Sequence, residues 1–314
     1  MENGHPQAGV DYPRAFADLR TLFPDEQACL DFLARLRWPD GFVCPACGSV
    51  EFWRAGAGRW WKCRTCGRRT SVTAGTIFDK TRMPMLTWFS AVWFVVSQKN
   101  GVSALGLQRV LGFGSYETAW AWMQKLRRAM VRPERDLLGG PGIVVELDET
   151  FVGGRSHGKP GGGSSKVPVM VALEKRGRKL GRLRLGLAPR PGSLDLIDFA
   201  VDVIKPGSII HTDGARMFTR LTHMGYHLEQ TVSIRTDDPT EVLPGVHIVA
   251  SLLKRWLAGT MQHAVSIEQL PYYLDEYVFR FNRRNSRSRG LLFYRLLEQA
   301  VRTEPWPLAD LVSG

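Results

Sequence analysis

The chain has 314 residues, 42 of them lysine or arginine and 30 aspartate or glutamate, for a formal net charge of +12. Such an excess points to a polyanionic partner, nucleic acid first, with a generic basic surface or attraction to an anionic membrane as the alternatives. The longest apolar run, around residues 86–96, is too short to span a bilayer; five cysteines are too few for a disulfide scaffold in a chain this long; and the opening MENGHPQAGVDYPR has no apolar signal core, so a cytoplasmic location is expected.

Residues 1–13 are polar and rich in Gly and Pro, a frayed arm. A helix follows over 22–37, with Asp25 as N-cap and Ala28, Cys29, Phe32, Leu33 and Leu36 as its apolar face. Cys29 has no CxxC partner and reads as core. Together these residues form a first segment, 1–37. The next, 38–81, carries Cys44-Pro-Ala-Cys47, then fifteen residues, then Cys63-Arg-Thr-Cys66, with a glycine directly after each pair. Two tight knuckles that each present two sulfurs are what tetrahedral Zn²⁺ requires, and this spacing is that of a zinc ribbon. A redox pair is the rival, but redox CxxC motifs usually occur singly. A segment this short needs the metal as a substitute core. Within and beside the second knuckle, Arg59, Trp60, Trp61, Lys62, Arg64, Arg68 and Arg69 interleave cations with aromatics, which suits phosphate contact and stacking.

Residues 82–135 read as helical. A helix over about 85–99 is followed by SALGLQRVLG, a short turn and SYETAWAWMQKLRRAM, two helices in helix-turn-helix order with Ser115 or Thr118 as a cap. Lys125, Arg127 and Arg128 near the end of the second are candidate DNA contacts, with a plain helical hairpin as the alternative. Residues 133–141 read as a linker.

From residue 143 the pattern changes to strands. IVVELDETFVGG, 143–154, is apolar and β-branched up to its acidic residues and is closed by two glycines, a short strand delivering Asp148 to its C-terminal end. A Gly/Ser/Lys loop over 153–166 leads to strands at 167–174 and 180–188, a helix at 194–204, a strand at 207–212 ending at Asp213, a helical stretch at 215–224 and an extended stretch at 226–232. Three sequential strands followed by helix-linked ones give an α/β fold of the ribonuclease-H-like kind. It is a mixed sheet with flanking helices over 141–302, preceded by the zinc ribbon and the helix-turn-helix-like region. In such a sheet the first and fourth strands are neighbours, which brings Asp148 and Asp213 together. Two close carboxylates repel unless a cation lies between them. Mg²⁺, a hard ion that leaves positions open for phosphate, is the expected one. Two such ions about 3.5–4 Å apart would clamp the attacking and leaving oxygens of a phosphoryl transfer. Residues 246–258 form a further helix. Residues 267–284 form another, whose basic end includes Arg280, Arg283 and Arg284, a candidate DNA-backbone face. A last helix over 291–300 ends before Pro305 and Pro307.

The ribbon, DETFVGG at 148–154, HTDGARMF at 211–218, SLLKRWLAGT at 251–260 and YLDEYVFRFNRR at 273–284 resemble the bacterial insertion-sequence DDE transposases that carry an N-terminal zinc ribbon. The resemblance runs from about residue 23 to 300. It implies metal-dependent DNA strand cleavage and strand transfer at element ends, without a covalent protein–DNA intermediate. It also implies a dimer or larger assembly on DNA and a place in the bacterial cytoplasm at the nucleoid. Most such enzymes use glutamate as third metal ligand with a lysine seven residues on. Aligning on SLLKR places His247 at the first position and Lys254 at the second. Thirty-three residues separate Asp213 from His247, close to the family's spacing. The resemblance therefore implies a variant triad of Asp148, Asp213 and His247, with Lys254 holding a DNA phosphate. Imidazole suits Mn²⁺ better than Mg²⁺. Glu241 is a fallback ligand. The competing expectation is a catalytically silent DNA-binding protein, a repressor or relic of a transposase, with a nuclease lacking strand transfer as a third.

Overall fold

The computed structural model describes residues 5–56, 58–132, 134–153, 166–188, 195–231, 242–261 and 266–313. The 153–166 loop beyond Gly153 and short of Lys166, and Glu241, lie outside the described residues. By its own packing the chain forms two compact units, 1–132 with 286–314, and 133–285.

The first unit opens with α1 (Asp18–Leu22) and α2 (Glu26–Arg37). The Asp25 carboxylate accepts the Ala28 amide at 2.8 Å, the N-cap its position predicts. Cys29 is fully buried on the inner face of α2, and burial first, then Glu26 and Asp25, pushes its thiol up to about 12, so it is an inert core residue. The ribbon is a three-stranded antiparallel sheet of β1 (Phe52–Ala55), β2 (Trp60–Cys63) and β3 (Arg69–Thr70). Arg37 of α2 donates to the carbonyls of Ser71 and Val72, and Arg54 of β1 pairs with Asp31 at 2.9 Å while lying over Trp61 at 3.8 Å. Next come α3 (Met85–Ser97), α4 (Ala104–Leu111) and α5 (Tyr116–Arg128). Glu26 caps α3 by accepting the Met85 amide at 2.8 Å. Gly112 ends α4 in the left-handed region at φ 68°, and Ser115 caps α5 through the Thr118 amide at 3.1 Å. Trp88 of α3 and Trp122 of α5 stack with ring centres 3.4 Å apart.

The second unit begins with a hairpin of β4 (Val144–Val152) and β5 (Val167–Arg176), extended by β6 (Lys179–Leu187). After α6 (Asp195–Val203) come β7 (Ile209–Thr212), a 3₁₀ segment Arg216–Met224 and β8 (His227–Gln230). The sheet order is β6-β5-β4-β7-β8, with β4–β5 and β5–β6 antiparallel and β4–β7 and β7–β8 parallel. This is the mixed, ribonuclease-H-like order that the strand pattern implies. Alternation along β4 sorts its two faces. Val145 and Leu147 join Ile197, Ala200 and Ile210 on the α6 side. Val152 joins the opposite core, with Val171 and Leu173 of β5 and the helices α7 (Pro244–Met261) and α8 (Leu270–Asn282). Glu146 and Asp148 share parity with Val152 and so face α7.

The chain then returns to the first unit as α9 (Arg289–Ala300) and α10 (Leu308–Ser313). The sequence alone groups α9 with the sheet; by packing it lies in the first unit. There Phe293 is fully buried, with its ring 5.5 Å from Phe89 and 5.9 Å from Trp93. Phe293→Ala is expected to cost the first unit about 3–5 kcal/mol. Urea unfolding of the full chain should then show an early transition for that unit.

Candidate functional site

The four thiols are brought to one point. Their sulfurs lie within 4.8 Å of one another, with Cys44 Sγ to Cys66 Sγ and Cys47 Sγ to Cys63 Sγ each 3.6 Å. A tetrahedron of Zn–S bonds of about 2.3 Å has edges of about 3.8 Å, so the four sulfurs already have the spacing of a Cys₄ zinc centre. The two knuckles repeat one backbone pattern. The Cys44 amide donates to Ser49 and the Gly48 amide to Cys44; the Cys63 amide donates to Arg68 and the Gly67 amide to Cys63. Gly48 and Gly67 take φ of 72° and 71°, left-handed values that L side chains adopt at a cost. The Cys66 backbone amide leads in lowering the Cys63 thiol to about 6, so that thiol is readied as thiolate.

The candidate catalytic residues stand on β4, β7 and α7. β4 runs four residues past Asp148, because its antiparallel pairing with β5 continues to Val152 and Val167. Asp148 is therefore mid-strand and not at the strand's end as expected. It does lie beyond the parallel part, since β7 pairs only with Val144, Val145 and Glu146. Glu146 is opposite His211 in that register, so two further residues set Asp213, just past the end of β7, across from Asp148. Asp148 is half-buried and Asp213 exposed. Asp148 Oδ1 accepts the Glu149 amide at 2.8 Å, and Asp213 Oδ1 accepts the Ala215 amide at 3.2 Å. No lysine or arginine among the described residues pairs with either carboxylate. Burial, against the Glu149 amide, and the charge of Asp213 push the Asp148 carboxyl up to about 6, while His247 pulls it down. Asp148 thus senses the charges of Asp213 and His247.

In α7, Val246, Val249, Leu253 and Leu257 form the buried stripe. His247 and Lys254 are exposed along one edge of it, two turns apart. Among the described residues the four cysteines form the one group of three or more ligating side chains gathered as for a metal ion; Asp148, Asp213 and His247 do not form such a group. Two carboxylates that pair with no lysine or arginine among the described residues, with an imidazole, are nonetheless a donor set suited to Mg²⁺ or Mn²⁺.

The expected DNA-contacting cations divide sharply. Arg64, Arg68 and Arg69 are exposed on the ribbon. Arg69 lies in a row across the sheet with Lys62 and Trp53, and Lys62 Nζ sits 4.9 Å over the Trp53 ring. Trp53, 40% exposed, was not among the residues singled out by sequence; its register opposite Lys62 reveals it. Lys125 is half-buried, and burial lowers its pKa. Arg127 and Arg128 are 2% and 8% exposed, and Arg128 lies 4.6 Å over Trp306. They are packing residues and do not line a surface. Arg280 is likewise engaged inside, 2.7 Å from the fully buried Glu276. Arg283 and Arg284 fold back over Phe279 and Phe281 at 4.1 and 4.0 Å, and Arg284 also donates to the Leu180 and Gly181 carbonyls.

Glu146 is a further residue the sequence reading passed over. Its side chain is buried, pairs with Lys175 Nζ at 3.0 Å and accepts the Val246 amide of α7 at 2.8 Å. An acidic residue inside an apolar strand, two positions from Asp148, is the cue that could have found it.

Fold and cysteine cluster together define a zinc-ribbon protein with a ribonuclease-H-like unit. Residues 137–282 match the ISXO2-like transposase domain, and residues 24–69 match the transposase zinc-ribbon domain. A protein of Halobacterium salinarum, described as an uncharacterized protein in transposable element ISH50, is 27% identical over 282 residues, 82% of this chain and 91% of that one. The chain belongs to the zinc-ribbon transposases of insertion sequences.

Two outcomes are expected here. Cys63→Ser should lower bound zinc well below one ion per chain, measured by metal analysis, and melt the ribbon. Asp148→Asn should raise stability. The folded carboxyl, at about 6 against 3.8 unperturbed, binds more protons than the unfolded one between those values, so stability falls as pH rises through that window. Thermal unfolding of zinc-loaded protein without Mg²⁺ or Mn²⁺ should find no advantage for Asp148→Asn below pH 4 and one of about 3 kcal/mol above pH 7.

Proposed function

We propose that this transposase cleaves DNA at the ends of its element and joins the freed 3′ ends to target DNA, using Asp148, Asp213, His247 and Lys254. The observation that supports the reading is the β4–β7 register, which, carried on two residues past its last pair, leads Asp148 and Asp213 toward one another, neither paired with a lysine or arginine among the described residues. In the first displacement water adds to phosphorus and the 3′-oxygen leaves as hydroxyl. In the second that hydroxyl attacks a target phosphodiester and displaces another 3′-oxygen. Both are in-line, so one site serves both.

Asp148 and Asp213 would supply carboxylate oxygens, and His247 an imidazole nitrogen, to Mg²⁺ or Mn²⁺, which when bound would stabilise charge on the attacking and leaving oxygens. The half-burial of Asp148 keeps water from screening that site. Lys254, an exposed ammonium on the same edge of α7 as His247, holds a DNA phosphate in line. The exposed ribbon face of Trp53, Lys62, Arg64, Arg68 and Arg69 binds terminal DNA, the cations against phosphate and Trp53 against a base or sugar. Two element ends must be joined and each chain holds one such site, so the working form is a dimer or larger assembly on DNA.

The imidazole at the third position favours, as second reading, a silent DNA-binding protein. Strand transfer by purified protein on its element's end DNA separates them. Joined product is expected, stronger in Mn²⁺ than in Mg²⁺ and lost in Asp148→Asn, Asp213→Asn and His247→Ala. DNA binding without product in either ion would establish the silent reading.

A further inference from the structure

We infer that Glu146 is a positioning residue for the active site, the anchor that fixes α7, and with it His247 and Lys254, at a set distance from Asp148. The inference rests on the active-site reading above. Glu146 and Asp148 lie on the same face of β4, two residues and so about 6–7 Å apart along the strand. One Glu146 oxygen accepts the Val246 amide at 2.8 Å, and His247 is the next residue of the helix. The other oxygen meets Lys175 Nζ at 3.0 Å. The link from Asp148 to His247 therefore runs through two strand residues, one buried side chain and one helix residue.

The helix end is built for this contact. Pro244 opens α7 and has no amide to offer. The next amides are among the orphan donors of a helix N-terminus, where a carboxylate is favoured by hydrogen bonding and by the helix dipole. Gly245 lets the backbone come this close. A Cβ there would stand 2.5 Å from Glu146 Oε2 and 2.7 Å from Leu173 Cδ2. Lys175, only 17% exposed at its side chain, balances the charge, so Glu146 is spent on structure while Asp148 keeps its charge for a ligand. A carboxylate buried to 2% with both oxygens engaged is rigid, which a hydrogen bond from a surface side chain would not be.

The test uses the full zinc-loaded chain and its element's end DNA. Glu146→Ala is expected to lower kcat for strand cleavage at least tenfold and to raise the Mn²⁺ concentration for half-activation severalfold, with DNA affinity unchanged. Hydrogen exchange should show amide protection lost in the first turn of α7 and kept in β4 and β5. Glu146→Gln combined with Lys175→Met keeps an oxygen for the Val246 amide without stranding a charge, and should restore kcat to within threefold. Gly245→Ala perturbs the junction from the helix side with Glu146 intact, and should reproduce the Glu146→Ala pattern. Should Glu146→Ala fail to fold, Gly245→Ala decides. A Gly245→Ala protein with wild-type exchange and Mn²⁺ dependence overturns the inference, as does a Glu146→Ala protein with both unchanged. Asp148→Asn run alongside keeps the two readings apart: cleavage surviving in Asp148→Asn sinks the active-site reading, whereas cleavage lost there with Glu146→Ala indifferent sinks only the anchor.

Discussion

Two carboxylates on one face of one strand set the logic of the second unit. Glu146 and Asp148 are chemically alike and two residues apart, yet they meet opposite fates. Glu146 is buried against a lysine and a helix amide, which offsets the cost of removing it from water. Asp148 is half-buried with a single backbone amide, faces another carboxylate and is left with a raised pKa. A folded protein that spends stability on an uncompensated carboxylate usually does so where chemistry needs it. The same sheet geometry produces both outcomes, because the side chain nearer the start of β4 meets the end of α7, and the one further along has passed the last β7 pairing.

The ribbon answers a different constraint. Over residues 38–70 its buried apolar side chains, among the described residues, are Phe42, Cys44, Trp61 and Cys63. Sulfur–metal bonds substitute for a core there. That frees the opposite sheet face from packing duty. Trp53, Lys62 and Arg69 can stand in a row toward solvent, whereas Trp61 and Thr70 in the row behind them face inward. An aromatic residue left in solvent beside cations is costly for a soluble protein unless something covers it, and nucleic acid has both the charge and the flat surfaces to do so.

What the sequence made legible is what local chemistry dictates. CxxC knuckles, caps at Asp25 and Ser115, and the alternation and order of strands are decided within a few residues of themselves. That β4 and β7, the strands leading to Asp148 and Asp213, are neighbours is legible too, because it follows from strand order. Other features depend on partners far along the chain. Arg127 and Arg128 look like a basic helix end, yet both are buried, and Arg128 lies over the ring of Trp306 far along the chain. Arg280 looks like part of a charge run, although its neighbour Glu276 is fully buried and claims it. Glu146 receives an amide from a residue 100 positions away, so no window of sequence reveals its task. The acidic run makes Asp148 look like a strand end; the β5 pairing, which carries on to Val152, shows otherwise.

Under the active-site reading, histidine at the third position changes the electrostatics as well as the ligand. Two carboxylates and a neutral imidazole carry one negative charge fewer than three carboxylates. Attraction for a divalent cation falls, and so does repulsion of the phosphodiester that must approach the same place. The weaker ligand makes its placement matter more, since an imidazole contributes through one well-aimed nitrogen and cannot shift between two oxygens as a carboxylate can. A site of this kind gains from a helix that cannot drift, and a buried carboxylate seated on that helix's first turn is a direct way to hold it.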